Sequence, residues 1–362
     1  MNEKRGIQLR IGIVGTGRTI GVASDHLKGI QAVPEWELAA VYDIVMENAE
    51  LWVNQHGLSK EVICESLEEL MGKVDAVTIC TDNRSHGAIA REAFKHNLPV
   101  LCEKPLSINY EESLKLAEEA ELAGVVNYMG MQYRYHPYAQ LIKEQIDQGE
   151  LGEVFSYRHK IGGGRIGNPN VGLEWRMKKE TSGAGAIADF GIHQIDLLKY
   201  FLEEQFGPIR EVQAELGTYI EKRQVNEQEV GEVTNDDLSV MILRMTNGAL
   251  VTLNNSRLLP QEGDGLEIVG TKAALSMDQE GRVFLRKRKD DNSWAAEKEM
   301  LEFQEKHKFP GLARGRQYQE FYEAITEGKA YKLSFAYAAE AARIIDAGLE
   351  SSQSGKRIHV SK

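Results

Sequence analysis

Short apolar runs alternate with helix-length amphipathic stretches through the first third of the chain. Leu9–Val14 is a near-continuous apolar run ending in Gly15-Thr16-Gly17, and a helix is expected from about Val22 to Gln31. Further strands are expected at Glu37–Tyr42, weakly at Val62-Ile63, and at Ala76–Cys80, Pro99–Leu101 and Val125–Met129. Helices fall between them, about Arg84–His96 and Tyr110–Leu122. In the second, Leu116, Ala120 and Ala123 recur at the i, i+4, i+7 spacing of one helix face. This alternation predicts βαβ units and a parallel sheet buried on both faces.

The pattern changes near residue 130. After one more helix, about Pro137–Gln148, strand-like segments dominate: Glu153–Ile161, Leu238–Met245, Ala249–Asn254, Leu266–Val269 and Arg282–Lys287. Thr246-Asn247-Gly248 is a hairpin signal, because Asn-Gly tolerates the positive φ of a tight turn. A mostly antiparallel sheet, hence a second domain, is expected, with domains over 1–130 and 131–362. Gln224–Glu232 is polar and acidic and reads as a surface loop, and two helices are expected in the tail, about Gly315–Thr326 and Phe335–Ser352.

Composition narrows the function. The 362 residues suffice for two domains, at roughly 100–200 residues each, and for a core without disulfides or metal staples. Hydrophobic residues at 42% and charged residues at 27% are ordinary globular usage. A net charge of −12 repels phosphate backbones, so no nucleic-acid partner is expected. Cys64, Cys80 and Cys102 are sparse and odd in number, which fits a reducing compartment rather than a disulfide framework. Met1–Arg10 lacks the apolar core of a secretory signal, and no apolar run approaches a membrane span, so a soluble cytoplasmic protein is expected.

Gly15-Thr16-Gly17 sits where a strand gives way to a helix, the context in which glycines admit a pyrophosphate to amide N–H groups at a helix N-terminus. A third glycine is due at residue 20, which is Ile20; Gly21 comes one residue late. Asp43 closes the second strand, where a carboxylate can accept from an adenosine ribose diol. Ile44 and Val45 offer no cation for a 2′-phosphate, so NAD is favoured over NADP, with Arg18 the one nearby cation in the glycine loop.

Two further segments carry chemistry. Glu103-Lys104-Pro105 falls at the carboxyl end of a strand, the edge at which open α/β sheets bind ligands. Asp189-Phe190-Gly191-Ile192-His193-Gln194-Ile195-Asp196 follows a glycine-rich turn, Ser182–Gly185, and enters an apolar helical run. Asp189 and His193 are i, i+4 and would share one helix face. No His-x-x-x-His and no second ligand cluster accompanies them, so no metal is expected.

The ordered set Gly15-Thr16-Gly17, Asp43, Thr81-x-Asn83-x-x-His86, Glu103-Lys104-Pro105 and Asp189-x-Gly191-x-His193-x-x-Asp196 resembles the glucose–fructose oxidoreductase / inositol dehydrogenase / MocA family over nearly the whole chain. The resemblance implies an α/β protein: an N-terminal Rossmann doubly wound parallel sheet, then an α/β domain with an open, mostly antiparallel sheet whose free face makes a homodimer or homotetramer. It places the family's catalytic lysine on Lys104, its aspartate on Asp189 and its histidine on His193, and implies a cis Lys104-Pro105 peptide. Cofactor positions fall on Gly15, Thr16, Gly17, Arg18, Ile20, Asp43, Thr81, Asn83, His86, Glu103, Lys104 and Gln132, the last opening Gln132-Tyr133-Arg134 near the nicotinamide. The late glycine departs from the family pattern, as does Asp82, where a proline is common.

The activity so implied is an NAD(P)-dependent dehydrogenase acting on a secondary hydroxyl of a sugar or cyclic polyol, inositol-like or pyranose. His193 would be the general base, its first-turn position favouring neutral imidazole. Lys104 would stabilise the developing alkoxide, and Asp189 would bind a neighbouring hydroxyl. Lys104, His159, Trp175, Arg176, Asp189 and His193 are the expected substrate contacts. Rival readings are an NAD-dependent glycosidase working by transient oxidation and elimination, a non-catalytic NAD-binding regulator, and a metal-dependent enzyme.

Overall fold

The structure, a computed structural model, describes residues 7–17, 21–259, 263–300 and 312–360. Apolar runs too short for helices become a five-stranded parallel sheet. β1 (Leu9–Val14), β2 (Trp36–Tyr42), β3 (Ala76–Ile79), β4 (Val100–Cys102) and β5 (Asn127–Met129) lie in the order β2-β1-β3-β4-β5. All four residues of β3 are buried, as a strand covered on both faces must be. The crossovers carry α1 (Val22–Gln31), α2 (Met46–Gln55), α3 (Leu67–Lys73), α4 (His86–Lys95) and α5 (Tyr110–Ala123). The strand order reverses between β1 and β3, which opens a crevice at their carboxyl ends.

The weak strand expected at Val62-Ile63 shrinks to a 3-10 turn, Lys60–Val62, and one parallel bridge from Ile63 to Val41. Polar Glu61 and Glu65 flank the run, which is too short to sustain a ladder.

The chain returns to this first unit near its end, so the expected boundary at 130/131 is incomplete. The unit comprises residues 7–107, 111–135 and 312–339. Its late helix, α10 (Leu312–Glu327), stacks Phe321 on Trp36 with ring centroids 5.7 Å apart and sets Tyr318 and Tyr322 edge-on to the same indole. A Cβ at Gly29 of α1 would lie 2.7 Å from the Tyr318 ring, so glycine there permits the close approach of the two helices. Aromatic pairs of this kind are worth about 0.5–1.5 kcal/mol each beyond the area they bury. The apolar pattern of α10 reveals a helix, but not which sheet it covers.

The second unit, residues 108–110, 136–300 and 340–360, is built on a nine-stranded sheet. Its strands are β6 (Val154–Gly162), β7 (Ile209–Gly217), β10 (Leu238–Met245), β11 (Leu250–Ser256), β12 (Gly263–Gly270), β13 (Ala273–Met277), β14 (Val283–Lys287), β15 (Lys298–Glu299) and β16 (Ile358–His359). Every adjacent pair is antiparallel except β6 with β11. The β10–β11 hairpin turns at Thr246-Asn247-Gly248, with Gly248 at φ +92°. β7 and β13 are strands that the sequence pattern does not single out. The loop expected at Gln224–Glu232 is instead a separate hairpin, β8 (Lys222–Asn226) with β9 (Glu229–Glu232). Its residues are exposed on both faces apart from Arg223 and Gly231, so no alternation of apolar residues announces it.

Helices α6 (Pro137–Asp147), α7 (Lys179–Ser182), α8 (Ala186–Asp189), α9 (Gly191–Phe206) and α11 (Phe335–Ser354) complete the chain. The Gln194 side-chain amide on α9 donates to the carbonyls of His159 on β6 (2.9 Å) and Asn254 on β11 (3.3 Å), which fixes the helix on the sheet's inner face. Among the described residues no helix is long and apolar enough to cross a membrane.

Candidate active site

Gly15 leaves β1 at φ +91°. A Cβ there would lie 2.6 Å from Thr81 Cγ2 and 2.9 Å from the Thr81 amide nitrogen, so only glycine lets the first loop pack on the end of β3. At Gly17 a Cβ would meet nothing within 4 Å among the described residues. Asp43 braces the loop. Its Oδ2 accepts from the Thr16 amide (2.8 Å), the Thr16 hydroxyl (3.0 Å) and the Gly17 amide (3.0 Å), while Oδ1 accepts from the Val45 amide (2.9 Å). Burial pushes this carboxyl up, but the amides of Gly17, Val45 and Thr16 outweigh it and hold it below its ordinary pKa. Asp43 thus has a loop-holding role beside the expected ribose contact. Ile44, 88% exposed, and Val45 bring no cation to it.

At the end of β3, Asn83 is buried, and Asp82 accepts from the amide and hydroxyl of Ser85, both at 3.1 Å. The aspartate thus braces this turn. Gln132 opens a 3-10 turn after β5, and its Oε1 is buried with no hydrogen-bond partner among the described residues. Arg18 and Ile20 lie outside the described residues.

Lys104 follows β4 and joins Pro105 by a cis peptide bond. Its amide donates to Glu103 Oε2 at 3.1 Å. Glu103 and His86 are expected among the cofactor positions, and the structure gives both side chains internal partners. His86 is enclosed, with Nδ1 2.9 Å from the Pro105 carbonyl and Nε2 3.2 Å from the Thr81 carbonyl, so it staples the loops after β3 and β4 together. Glu103 Oε1 accepts from His26 Nε2 (2.9 Å) and from the Arg314 guanidinium of α10 (2.5 Å). Burial alone would raise Glu103, but Arg314 and the His26 bond outweigh it and hold the carboxyl well below the usual range.

Burial, then Arg314, lowers His26 to about 4, so its imidazole is neutral near pH 7. Its Nε2–H donates to Glu103, and its Nδ1 accepts from the Tyr318 hydroxyl (2.8 Å), which in turn accepts from Thr78 (2.9 Å). A histidine whose folded pKa lies below its unfolded value resists protonation in the folded state. Its stabilisation is therefore present above about pH 6.5 and is lost as pH falls from 6.5 toward 4. His159, lowered by burial to about 3, acts in the same sense, while Asp264, raised by burial to about 6, acts in the opposite one. We expect His26→Gln to reduce the loss of stability between about pH 7 and pH 5 by about 2 kcal/mol. Urea midpoints at the two pH values measure it, and parallel losses in wild type and variant reject the assignment.

The second unit holds the other candidates. Asp189 and His193 do not share one uninterrupted helix. Asp189 ends α8, Phe190 breaks the run, and His193 lies in the first turn of α9. Asp236 accepts from the amides of Gly185 (2.7 Å) and Ile187 (2.8 Å) and so caps the start of α8. His193 is buried, and so is Asp196. Asp189 Oδ2 accepts from Arg257 at 3.2 Å, and the same guanidinium donates to the Arg176 carbonyl at 3.1 Å. Arg257 is only 3% exposed, and sequence reasoning did not single out this partner of Asp189, because a single arginine after a strand gives no signal. Trp175 and Arg176 share a 3-10 turn, with the guanidinium over the indole. His159 stands apart in role: it is buried on β6, its Nδ1 3.0 Å from the Tyr157 hydroxyl. Among the described residues no group of three or more His, Cys, Asp or Glu could hold a metal ion.

These arrangements suit a dinucleotide in the first unit. A glycine turn, a buried carboxylate at the end of β2 and a buried amide oxygen without a partner among the described residues lie at the carboxyl edge of a parallel sheet. Residues 9–131 match the model of the Gfo/Idh/MocA oxidoreductase family's NAD-binding Rossmann fold, and residues 143–360 match that of its C-terminal alpha/beta domain. The chain belongs to the Gfo/Idh/MocA oxidoreductase family. It is similar to glucose-6-phosphate 3-dehydrogenase of Bacillus subtilis, with 31% identity over 273 residues, 73% of this chain and 72% of that one. It is 26% identical to myo-inositol 2-dehydrogenase of Thermotoga maritima over 75% of each chain. The structure of levoglucosan dehydrogenase in complex with NADH and L-sorbose has the same fold, with TM-score 0.89, 24% identity, and coverage of 99% of this chain and 100% of that one. Residues 9–131 of the first unit are thus the family's NAD-binding domain, and the nine-stranded sheet belongs to the C-terminal domain, whose match also takes in residues 312–339 of the first unit.

Proposed function

We propose that this Gfo/Idh/MocA protein is an NAD-dependent dehydrogenase that oxidises a secondary hydroxyl of a sugar or cyclic polyol. The observation that carries the reading is the joint presence of Lys104 directly after β4 of the NAD-binding domain and the Asp189/His193 pair at the α8–α9 junction. Sugar and inositol dehydrogenases among its relatives support the substrate class. Bound NAD supplies the hydride acceptor at nicotinamide C4. His193 removes the hydroxyl proton as general base. The Lys104 ammonium donates to the same oxygen and stabilises its growing negative charge. Asp189, oriented by Arg257, accepts from a neighbouring hydroxyl. The Gln132 amide oxygen is suited to an N–H donor of the cofactor.

NAD rather than NADP is the preferred cofactor, because Asp43 offers a carboxylate where a 2′-phosphate would need a cation. A panel of hexoses, pentoses, inositols and amino sugars, followed by NADH or NADPH absorbance, tests both proposals. We expect reduction of NAD by at least one compound, and a narrower margin over NADP in Asp43→Ser together with weaker NAD binding. A wild-type preference for NADP overturns the cofactor choice. Product formed without accumulating reduced cofactor would point to oxidation and elimination instead.

The outer face of the nine-stranded sheet exposes Ile242 and Leu250 beside Thr252. We propose this face as the contact of a homodimer or homotetramer. The three cysteines are free and buried, in keeping with a reducing, cytoplasmic setting.

A further inference from the structure

Arg176 is an unfinished electrostatic site in an acidic protein. The chain carries a net charge of −12, yet Arg165, Arg176, Arg223 and Arg257 lie close enough in the second unit to influence one another. Three of them are committed. Arg165 makes a two-pronged pair with Glu174, at 2.6 and 2.7 Å. Arg257 pairs with Asp189. Arg223 is enclosed and donates to the carbonyls of Asn168 (2.8 Å) and Val171 (3.0 Å).

The Arg176 guanidinium has no such partner. Its central carbon lies 4.1 Å from the centroid of the Trp175 ring, and among the described residues no group accepts a hydrogen bond from it. Burial lowers its pKa; Asp189 and Glu174 push the other way, but each is already held by another arginine. The backbone beneath it is pinned, because the Arg176 carbonyl accepts from Asn235 Nδ2 (2.9 Å), Ser182 Oγ (3.1 Å) and Arg257 (3.1 Å). Through Arg257, one guanidinium links Arg176 to Asp189, the group assigned to a substrate hydroxyl.

A half-buried, rigidly mounted guanidinium with its donors unused is stabilised by an anion, and its planar fork matches the two-pronged geometry of an oxyanion. Its contact with the face of the Trp175 ring restricts the fork's freedom. We propose that Arg176 binds an anionic substituent of the substrate, a phosphate or carboxylate, so that the substrates are sugar phosphates or sugar acids rather than neutral polyols. This inference rests on the dehydrogenase reading and sharpens its substrate class.

The test titrates the NADH-loaded protein calorimetrically with glucose, glucose 6-phosphate and glucuronate, and assays the same compounds for NAD reduction. One of the two anions should bind about 10- to 100-fold more tightly than glucose, as expected for a charge-assisted two-pronged contact. Which anion does so separates phosphate from carboxylate. Arg176→Gln should erase that margin and Arg176→Lys should restore part of it, with NADH binding as the check that each variant folds. Equal or tighter binding of glucose by the wild type, no binding of either anion, or an undiminished margin in Arg176→Gln overturns the proposal. Anion binding through Arg176 without NAD reduction by any compound would retain the anion site and reject the dehydrogenase. Oxidation of glucose with no preference for either anion would do the reverse.

Discussion

His193→Ala should lower kcat for NAD-linked oxidation by about 10²- to 10⁴-fold, the range for removing a positioned general base. The imidazole is 2% exposed and lies in the first turn of α9, a helix fixed to the sheet by Gln194. Such a mounting limits the ring's freedom, and alanine offers no group to accept a proton in its place. The effect should fall on kcat, because the proposed cofactor positions lie in the other unit, so NADH affinity measured by fluorescence titration should be nearly unchanged. Turnover within about tenfold of wild type, roughly 1.4 kcal/mol, rejects His193 as the base.

The largest effect on stability is expected for Arg314→Met. Glu103 is an enclosed carboxylate that accepts from the Arg314 guanidinium and from His26, of which only Arg314 is charged near pH 7. Removing the guanidinium takes away the strongest compensation of a buried charge, a loss of about 3–5 kcal/mol. It also frees Gln317, which holds Arg314 through its Oε1 and the Met129 carbonyl through its Nε2. Adding Glu103→Gln should recover a large share of the loss, because the uncompensated charge disappears with its partner. Urea unfolding of both single variants and the double variant measures the coupling. A loss below about 1 kcal/mol for Arg314→Met, or strict additivity, would show that the pair does not act as a buried ion pair.

Local pattern and the resemblance together anticipated the family, the two-sheet architecture and the hairpin at Thr246-Asn247-Gly248. A parallel strand buried on both faces must be apolar throughout, and a tight turn must carry residues that accept positive φ, so both features are written locally. The hairpin at Lys222–Glu232 was not legible, because solvent on both faces imposes no apolar alternation. The cap of α8 was hidden for another reason: the carboxylate that accepts from its first amides is Asp236, nearly fifty positions downstream.

By itself, the sequence determined which chemical groups this protein has and the order in which strands and helices present them, since backbone periodicity and turn chemistry act over a few residues. Tertiary structure alone decided which distant groups became neighbours. Glu103 is buried with His26 and Arg314 rather than lying exposed at a strand end, Asp43 holds the glycine loop, and Arg257 holds Asp189. The physical reason is that a charge removed from water needs a partner in three dimensions, and that partner's position along the chain leaves no periodic trace.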